Sequence, residues 1–548
     1  MSVKKTPTNR PTLLELLLAT FPGLISLLIT PGINYEIVNL SKFTFLCVFT
    51  SFLVFIIGFK INDWPKRIKI LALLSAIFSI LMLISIPFAR TPLLEQIFGV
   101  MGRFTGITTY LCLLVICIIY SQISNFSLLH RILRSLQALG AIEILYVEMQ
   151  IFGIDPVEWS NKKKWIVGTL GNPDFLSAFL AFVIIATLGV LINEKRNNFR
   201  VLYAIQIFSG FHCLWQVGAT QGFAIGILGI CSIVWFFLAH SRNKRLVLYS
   251  FSIASSFFGF LILLAVSNRG PLKSYIFESS IERRGELWKI AWNMIKHSPL
   301  VGFGMDSFGH EYRIYRDLEI VRSSGLSRIS NSAHNVFLDL AVGGGVFLSL
   351  VYLIIVIFTI YLSLRNIFHA KEFDLSYVTI FSIWIGFNLA SLISVNVIGI
   401  SIWGFICSGL LIGYNPNRKT IFYGNRRISR KLNLPLSKIS LSIILVCVGV
   451  APFYKDIVWA ESVRKFQVNK IVATTMMWPQ NSEHIDSTVD FLLKAGKENE
   501  AMELNNYGLD FDQSNFSFWE NKLKLSKSDT STVFAKMRQL DPNYNLKP

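Results

Sequence analysis

The sequence predicts an all-α fold: a polytopic bundle of membrane helices that carries a long loop and a small helical tail on one face. The 548 residues are 53% hydrophobic and only 16% charged, whereas soluble globular domains have about 25% charged residues. The mean hydropathy is +0.52. About thirteen apolar stretches approach the length of roughly 20 residues that an α-helix needs to cross a bilayer. This composition excludes a secreted soluble enzyme, a nucleic-acid-binding array and a disordered scaffold.

The predicted spans fill a membrane domain, residues 1–454, and leave two long polar regions. One is the interval 267–332 between the ninth and tenth spans, and the other is the tail, residues 455–548. We predict no signal peptide, because no clear small-residue cleavage site accompanies the basic flank of the first span. In chain order, the predicted spans are Leu13–Ile29, Phe43–Phe59, Ile70–Phe88, Phe104–Tyr120, Leu136–Phe152, Phe175–Leu191, Val201–Val217, Gln221–Leu238, Leu246–Val266, Ala333–Ser363, Val378–Val395, Ile398–Gly413 and Ile439–Ala451.

The formal net charge of +19 indicates the orientation of the bundle rather than a nucleic-acid partner. With the N-terminus in the cytoplasm and the spans alternating, the inner segments hold 24 Lys and Arg residues and four acids, and the rest of the chain is close to neutral. Cytoplasmic loops of membrane proteins carry such an excess of basic residues. We therefore predict a multi-pass protein of the cytoplasmic membrane with the 267–332 loop and the tail outside. The inner segments are residues 1–10, 60–69, 121–135, 192–200, 239–245, 364–376 and 414–438.

The sequence indicates neither a metal site nor a cofactor. All seven cysteines fall within predicted spans, so we expect neither a disulfide framework nor a zinc site. No Asp-x-Asp pair occurs in an outer loop. We therefore expect no bound metal and no cofactor. The cysteines are Cys47, Cys112, Cys117, Cys213, Cys231, Cys407 and Cys447.

The tail is charged, mixed in sign and rich in helix-forming residues. The run Asp490–Ala501, followed by Gly508 and by Phe516–Trp519, has helix-turn-helix spacing and resembles a tetratricopeptide unit. Leu540–Pro542 resembles the end of another repeat, although stable arrays usually need about three. Two interpretations stay open: a docking surface for a protein partner or a glycan, and a small helical cap packed on the outer face.

The long outer loop contains an amphipathic helix that starts with two arginines. Over Glu282–His297, apolar residues recur at helical spacing, and Trp288 and Trp292 suit a helix lying at the membrane interface. An ordinary surface helix has the same pattern. Arg283 and Arg284 stand at the level of the lipid headgroups, and a guanidinium group can bind two phosphate oxygens at once. The two arginines are therefore candidate phosphate ligands.

His334 lies where this loop enters the tenth span. On a continuous helix, positions 334, 338, 341 and 345 share one face, which puts His334 at the outer mouth of the span on a stripe with Gly345. Small residues on that stripe allow another helix to approach closely. A lone histidine at a membrane boundary is more often an interface anchor than a catalyst. Asp339 is predicted to point away from His334 and into the bundle, because an intramembrane carboxylate is costly unless it is satisfied.

Further polar residues lie near the outer ends of other spans. Arg90 and Arg103 bracket the outer segment Thr91–Gly102, whose apolar content predicts that it dips towards the bilayer. Gln221 opens the eighth span. Each of these residues alone is compatible with a structural role, but together they put several arginines, a histidine and carboxylates on one side of the membrane.

These residues resemble the O-antigen ligase and O-antigen polymerase superfamily, which also includes bacterial O-linked oligosaccharyltransferases. The resemblance covers roughly residues 90–415, and the order, spacing and sidedness of its motifs agree. Many members have an arginine in a Ser-Arg-Gly-like turn at the outer start of a middle span, where this sequence has Ala219-Thr220-Gln221-Gly222. The similar motifs are Arg103 followed by Gly106, Gly171-Asn172-Pro173, Arg284-Gly-Glu-Leu-Trp288, Pro299-Leu-Val-Gly-Phe-Gly304, and His334-Asn335 with Leu338 and Gly345.

The resemblance implies transfer of a glycan from a polyprenyl-diphosphate carrier to a hydroxyl group of a lipid, glycan or protein acceptor, without a metal. It implies that Arg284, with Arg103 or Arg90, neutralises charge on the pyrophosphate leaving group. It also implies that His334 activates the acceptor hydroxyl as a general base, or only binds phosphate or sugar. The residues expected to bind pyrophosphate and glycan are Arg103, Arg90, Arg283, Gln221 and Asn335.

Several alternatives stay open at this point. Within the superfamily, the sequence does not separate a ligase from a polysaccharide polymerase or an O-linked protein oligosaccharyltransferase. A polysaccharide transporter or lipid flippase is favoured by the many spans, but the two halves contain no inverted repeat and no matching pair of broken helices. A third alternative is a non-enzymatic assembly scaffold that uses the tail.

Overall fold

The computed structural model describes residues 11–59, 61–159, 165–241, 245–271, 273, 279–418, 436–525 and 530–544. These residues form helices and no β-strand, which confirms the predicted all-α bundle. Every predicted span falls on a helix. The basic N-terminal flank, residues 1–10, and most of the last predicted inner segment, residues 419–435, lie outside the described residues.

The helices follow one another with short connections, apart from the long outer loop. The described α-helices are α1 Leu13–Leu27, α2 Asn39–Ile56, α3 Lys66–Ser85, α4 Leu93–Phe98, α5 Ile107–Ile123, α6 Phe126–Ile151, α7 Pro173–Asn193, α8 Asn197–Val217, α9 Thr220–His240, α10 Arg245–Val266, α11 Ser279–His297, α12 Phe308–Tyr315, α13 Leu318–Ser324, α14 Val336–His369, α15 Leu375–Ser391, α16 Ile398–Gly413, α17 Leu436–Arg464, α18 Val468–Met476, α19 Ser482–Lys494, α20 Glu498–Phe511, α21 Phe516–Leu525 and α22 Thr530–Leu540.

Eleven of these helices are apolar enough to suit a membrane. Six are also long enough to cross one by length and composition: α2, α3, α7, α9, α14 and α17. The other five, α1, α5, α10, α15 and α16, are shorter or, for α10, counted over a shorter stretch. Two further predicted spans fall on α6 and α8, which carry more polar side chains. Those polar groups meet each other across the two helices: Gln137 donates to Gln206 (2.7 Å), and His212 contacts Glu148 (2.9 Å).

The core of the bundle lies around α7 and α16. All of α16 is buried, and so is most of α7. α16 packs along α5, α17 packs along α2, and α7 contacts α6, α8, α9 and α15. Large apolar side chains on the outside, such as Phe208, Trp215 and Leu246, are exposed. A soluble protein avoids such a surface, whereas lipid accommodates it.

Polar contacts collect the connecting segments into two groups, one at each end of the bundle. At one end, Arg67 donates to the carbonyl oxygen of Tyr414 (2.8 Å), and Arg134 pairs with Glu194 (3.5 Å). At the other end lie the 267–332 loop, the tail and the turns that contact them. This grouping agrees with the predicted alternation of the spans. Which end faces the cytoplasm stays a prediction from the charge distribution.

The tail packs on the outer loop as consecutive helices, each contacting the next. α17 continues through the predicted boundary at residue 454 and ends at Arg464. Gly508 lies directly against the ring of Phe518, so that α20 and α21 approach closely. Asp541, which is fully buried, pairs with Arg316 (2.5 Å) and with Arg313 (3.2 Å) of the outer loop. The tetratricopeptide-like assignment and the division at residue 454 stay predictions.

Candidate functional site

The outer end of α14 is broken, and a turn of the long loop fills the break. Gly344 and Gly345 have non-helical dihedral angles, with φ 81° at Gly345. The backbone N–H of Phe303 donates to the carbonyl oxygen of Val342 (2.8 Å), an oxygen that the broken helix would otherwise leave without a partner. A Cβ atom on Gly345 would clash with the carbonyl oxygen of Leu300. Glycine is therefore required here both by its positive φ and by the close backbone approach.

His334 precedes the helix, so the predicted helical stripe through His334 and Gly345 is wrong. Asn335 is the N-cap of α14, and its side-chain oxygen accepts hydrogen bonds from two backbone N–H groups of the first turn (3.0 and 3.1 Å). Asparagine is among the preferred N-cap residues. His334 itself has a left-handed backbone (φ 53°), and its N–H donates to Oγ of Ser332 (3.0 Å). The turn, rather than a helix face, therefore sets the direction of the imidazole.

Asp339 stabilises this turn from the first part of α14. Its Oδ1 accepts the backbone N–H of Ala333 (2.7 Å). Its side chain lines a small cleft together with Arg103 and Asp306, in agreement with the prediction that it faces the bundle. The carboxylate thereby helps to hold the residue that precedes His334.

Asp306 joins the turn between α4 and α5 to the long outer loop. Its carboxylate accepts the N–H of Val100 (2.9 Å) and the hydroxyl of Thr105 (3.3 Å), and it pairs with Arg103. The guanidinium of Arg103 is mostly buried, and its Nε has no hydrogen-bond partner in the described structure. Asp306 thus fixes one edge of the Arg103 guanidinium, while the Nε–H donor has no hydrogen-bond partner among the described residues.

A second arginine is held in a similar way at the start of α7. Arg284 pairs with Asp174 at 3.5 Å, and Gln221 donates to the carbonyl oxygen of Asp174. Both the Nε of Arg284 and the Oε1 of Gln221 are buried without a partner among the described residues. Gln221, which stands where many superfamily members have an arginine, therefore contacts the residue that holds Arg284.

Three arginines act on His334 through their charge. Burial, followed by the positive charges of Arg284, Arg103 and Arg283, lowers the pKa of His334 to about 4. The imidazole is therefore neutral near pH 7 and has a free lone pair on one ring nitrogen. An anion bound among these arginines would offset their charge and raise the pKa of His334 again. We call His334, Arg103, Arg283 and Arg284 the arginine cluster.

The other predicted site residues lie outside this cluster or have structural contacts. Arg90 is 57% exposed and pairs at 3.7 Å with Glu311. Asn335 caps α14 through its oxygen and donates through Nδ2 to the carbonyl oxygen of Leu392 (3.0 Å). Arg283 is exposed at the rim of the cluster. The structure thus brings together Arg103, Arg283 and Arg284 around His334, but not Arg90.

Sequence reasoning missed the two carboxylates that hold the arginines. Asp306 lies two residues after the Gly302-Phe-Gly304 turn, and Asp174 is the second residue of α7, directly after the Gly171-Asn172-Pro173 motif. Their positions next to motifs that resemble the superfamily were the signal available for finding them.

A second histidine of the outer loop has a different environment. His310 contacts Glu95 through Nε2 (2.8 Å) and Asp512 of the tail through Nδ1 (3.4 Å). Burial alone would lower the pKa of His310, but Asp512 and Glu95 outweigh it and raise this pKa to about 9. The three residues offer ligand atoms close enough to hold a metal ion. However, both ring nitrogens point at different carboxylates, an arrangement that suits a protonated imidazole bridging two anions.

The fold and the site define a class of protein: a polytopic membrane protein with a partly buried cluster of arginines around a histidine, at the end of the bundle that carries the long loop. Residues 217–353 match the family model described as O-antigen ligase. The match covers Gln221, Arg283, Arg284 and His334, and it confirms the resemblance to the O-antigen ligase superfamily. At the level of that family, the match supports a membrane glycosyltransferase of the ligase or polymerase type. No curated protein matches the chain.

Proposed function

We propose that the protein transfers a glycan from a polyprenyl-diphosphate carrier to a hydroxyl group of an acceptor, on the outer face of the cytoplasmic membrane. The observation that carries the proposal is the arginine cluster with its unused donors. Nε of Arg103 and Nε of Arg284 are buried without partners, and each guanidinium is held in place by one carboxylate. Buried donors without partners are costly, and phosphate oxygens would satisfy them.

In this proposal the two arginines lower the barrier by stabilising the leaving group. As the bond between the sugar and the pyrophosphate breaks, negative charge grows on the phosphate oxygens. Guanidinium groups that are already oriented stabilise that charge without having to reorganise. The carboxylates of Asp306 and Asp174 supply the orientation. Arg283, on the rim, would contact the headgroup as it enters.

His334 is proposed as the general base that removes the proton of the acceptor hydroxyl. A base must be neutral before it accepts a proton, and the low pKa of His334 keeps it neutral in the empty site. The pyrophosphate would offset the nearby arginines and raise this pKa towards neutrality, where an imidazole is most effective as a base. Substrate binding would thus activate the base.

The reaction is proposed to need no metal, because arginines take the place that a divalent cation has in other glycosyltransferases. The acceptor is a lipid, a glycan or a protein. The tail is proposed to lie outside the cytoplasm, where it could also bind a protein partner. A ligase is the first candidate. Chain-length analysis of the product separates it from a polymerase, and the identity of the acceptor separates it from a protein glycosyltransferase.

The test compares three arginine variants in cells that lack the native protein and accumulate its lipid-linked glycan. Arg284→Ala should restore no transfer and leave the accumulation in place, at normal protein levels. Arg284→Lys should restore a small part, because it keeps the charge but loses the two-pronged contact. Arg322→Ala, an exposed arginine of the same loop, serves as the matched control and should restore transfer fully.

Full transfer by Arg284→Ala would contradict the proposal. Transport without transfer, seen as lipid-linked glycan that reaches the outer leaflet only when the protein is present, would favour a transporter instead. Loss of an assembled complex rather than loss of transfer would favour a scaffold.

A further inference from the structure

A cleft of about 920 Å³ opens on the same end of the bundle as the arginine cluster. Its walls are the turn before α2, residues 31–38; the turn 156–159; Gly171; and the last turns of α17, residues 459–464. None of these residues has a part in the proposed transfer. The volume is in the range of clefts that bind organic ligands, about 300–1,000 Å³.

The wall next to the tail is held rigidly in place. Asp456 of α17 is buried, and its carboxylate accepts the backbone N–H groups of Tyr35 and Glu36 (2.9 Å each) and the amide of Asn34 (3.2 Å). Arg464 donates to carbonyl oxygens of the same turn (3.0 and 3.1 Å). A surface loop seldom receives so many contacts from one helix. These contacts from α17 therefore fix the turn before α2, which forms one wall of the cleft.

The opposite wall is held by a separate network. Nε1 of Trp159 donates to the hydroxyl of Tyr146 (3.2 Å), which donates to Asp155 (2.9 Å). Asp155 also accepts the N–H of Val157 (2.9 Å). Oε1 of Gln150, on the same helix as Tyr146, accepts two backbone N–H groups just before Gly171 (3.1 and 2.9 Å). The ring of Trp159 thus keeps one orientation at the edge of the cleft.

The lining has the chemistry that binds sugars. Tyr35 is 56% exposed and rests edge-on against Trp459 (4.9 Å between ring centroids), and Trp159 lines the other wall. A sugar ring has an apolar C–H face, which packs on aromatic rings, and a rim of hydroxyls, which needs donors and acceptors. Glu158, which is exposed, lines the same cleft.

The cleft reaches a segment that is close in sequence to Asp174, the residue that pairs with Arg284. Gly171 lines it, and Asp174, three residues further on, pairs with Arg284 at 3.5 Å. A Cβ atom on Gly171 would lie only 3.0 Å from Val38, so that the two walls meet at this point. A chain lying in the cleft would therefore lead to the arginine cluster.

We propose that this cleft is an oligosaccharide-binding groove, which holds the part of a glycan chain that extends away from the reacting sugar. The groove deepens the proposed function and rests on it. The glycan can belong to the lipid-linked donor or to the acceptor, and the chemistry of recognition is the same for both.

The test uses the full-length protein in nanodiscs and the glycan released by mild acid from the accumulated lipid-linked sugar. Binding is followed by saturation-transfer NMR. Trp159→Ala and Tyr35→Ala should each weaken binding by about tenfold, because each removes one stacking surface. Trp159→Phe should retain most of the binding, since it keeps the ring. Phe152→Ala removes an exposed aromatic ring that does not line the cleft, and it should bind as the native protein does.

A transfer assay then identifies the source of the glycan. A rise in KM for the donor alone assigns the groove to the donor glycan, and a rise for the acceptor alone assigns it to the acceptor. The proposal that the cleft binds an oligosaccharide is overturned if Trp159→Ala and Tyr35→Ala bind the released glycan as tightly as the native protein does. It is also overturned if the native protein does not bind the glycan. Arg284→Ala separates this inference from the proposed function, because it should lose transfer but still bind the released glycan.

Discussion

Two histidines of the outer loop, His334 and His310, lie 24 residues apart and have opposite electrostatic environments. His334 is surrounded by arginines, and its pKa is lowered to about 4. His310 is 9% exposed and lies between Glu95 and Asp512, and its pKa is raised to about 9. The first is a neutral base among cations, and the second is a cation between anions.

The difference distinguishes a candidate ligand site from a structural contact between the tail and the outer loop. His310 contacts Glu95 through one ring nitrogen and Asp512 through the other, so these opposite charges link the tail to the outer loop. The arginine cluster has donors left over and a histidine that cannot protonate easily. Such an arrangement lowers the stability of the fold. An anionic ligand that binds the unused donors would explain why the protein keeps it.

A large loss of transfer is expected at Arg103. Arg103→Ala should lower transfer by about 10²- to 10³-fold, because one preoriented donor to the developing charge is lost. The purified variant should melt below the native temperature but remain folded, because Asp306 loses its charged partner and keeps its contacts to Val100 and Thr105. A turnover assay with lipid-linked glycan measures the loss. Native turnover would remove Arg103 from the cluster.

Changes to the contacts between the tail and the outer loop should affect stability instead of activity. Asp541→Asn leaves Arg316 buried beside a neutral side chain and should destabilise the docked tail by roughly 3 kcal/mol. Hydrogen exchange over residues 530–544 should increase, while transfer changes by no more than a few-fold. If the exchange rates stay native and transfer is lost, the roles of the two regions are reversed.

The contacts of His310 between the outer loop and the tail should also weaken at high pH. Because the pKa of folded His310 is about 9, above that of a free histidine, its contribution is complete below about pH 6.5 and is lost as the pH rises through 9. This contribution is at most about 3 kcal/mol. The groups that face His310 are Glu95, Asp512 and Glu311, and burial raises the pKa of Glu311. Limited proteolysis of the tail between pH 7 and 10 measures the release.

His310→Gln is the matched control for this pH dependence. It should be destabilised already at pH 7 and should lack the additional step near pH 9. An identical pH profile in the native protein and the variant would show that other groups cause the release.

The smallest effect is expected at Arg90. Arg90 lies outside the arginine cluster, is 57% exposed, and approaches the buried carboxylate of Glu311 only to 3.7 Å. Arg90→Ala should therefore retain transfer within a few-fold in the same turnover assay. A loss as large as that of Arg103→Ala would mean that Arg90 moves into the cluster when the substrate binds.

Periodicity and local motifs predicted the parts of this structure that depend on short stretches of chain. The helix predicted over Glu282–His297 is α11, Ser279–His297, because its apolar residues recur at helical spacing and Pro299 follows. Of those apolar residues, Ile290 and Met294 are fully buried, whereas Trp292 is exposed. Helical periodicity predicts the wrong position for His334, because Asn335 is the N-cap of α14 and His334 therefore precedes the helix.

The partners of the arginines could not be predicted in this way. Arg103 and Asp306 are 203 residues apart, and Arg284 is 110 residues from Asp174. Such pairs depend on how whole helices pack, and no local pattern reports that packing. For the same reason, the sequence grouped Arg90 with Arg103, although only Arg103 is turned towards His334.

The most direct test compares the two histidines in one experiment, with purified His334→Ala and His310→Gln assayed for both transfer and melting temperature. The account predicts that His334→Ala loses transfer by about 10²- to 10⁴-fold and melts at or above the native temperature. It predicts that His310→Gln melts lower and retains transfer within a few-fold. Transfer that survives in His334→Ala and disappears in a well-folded His310→Gln would contradict it.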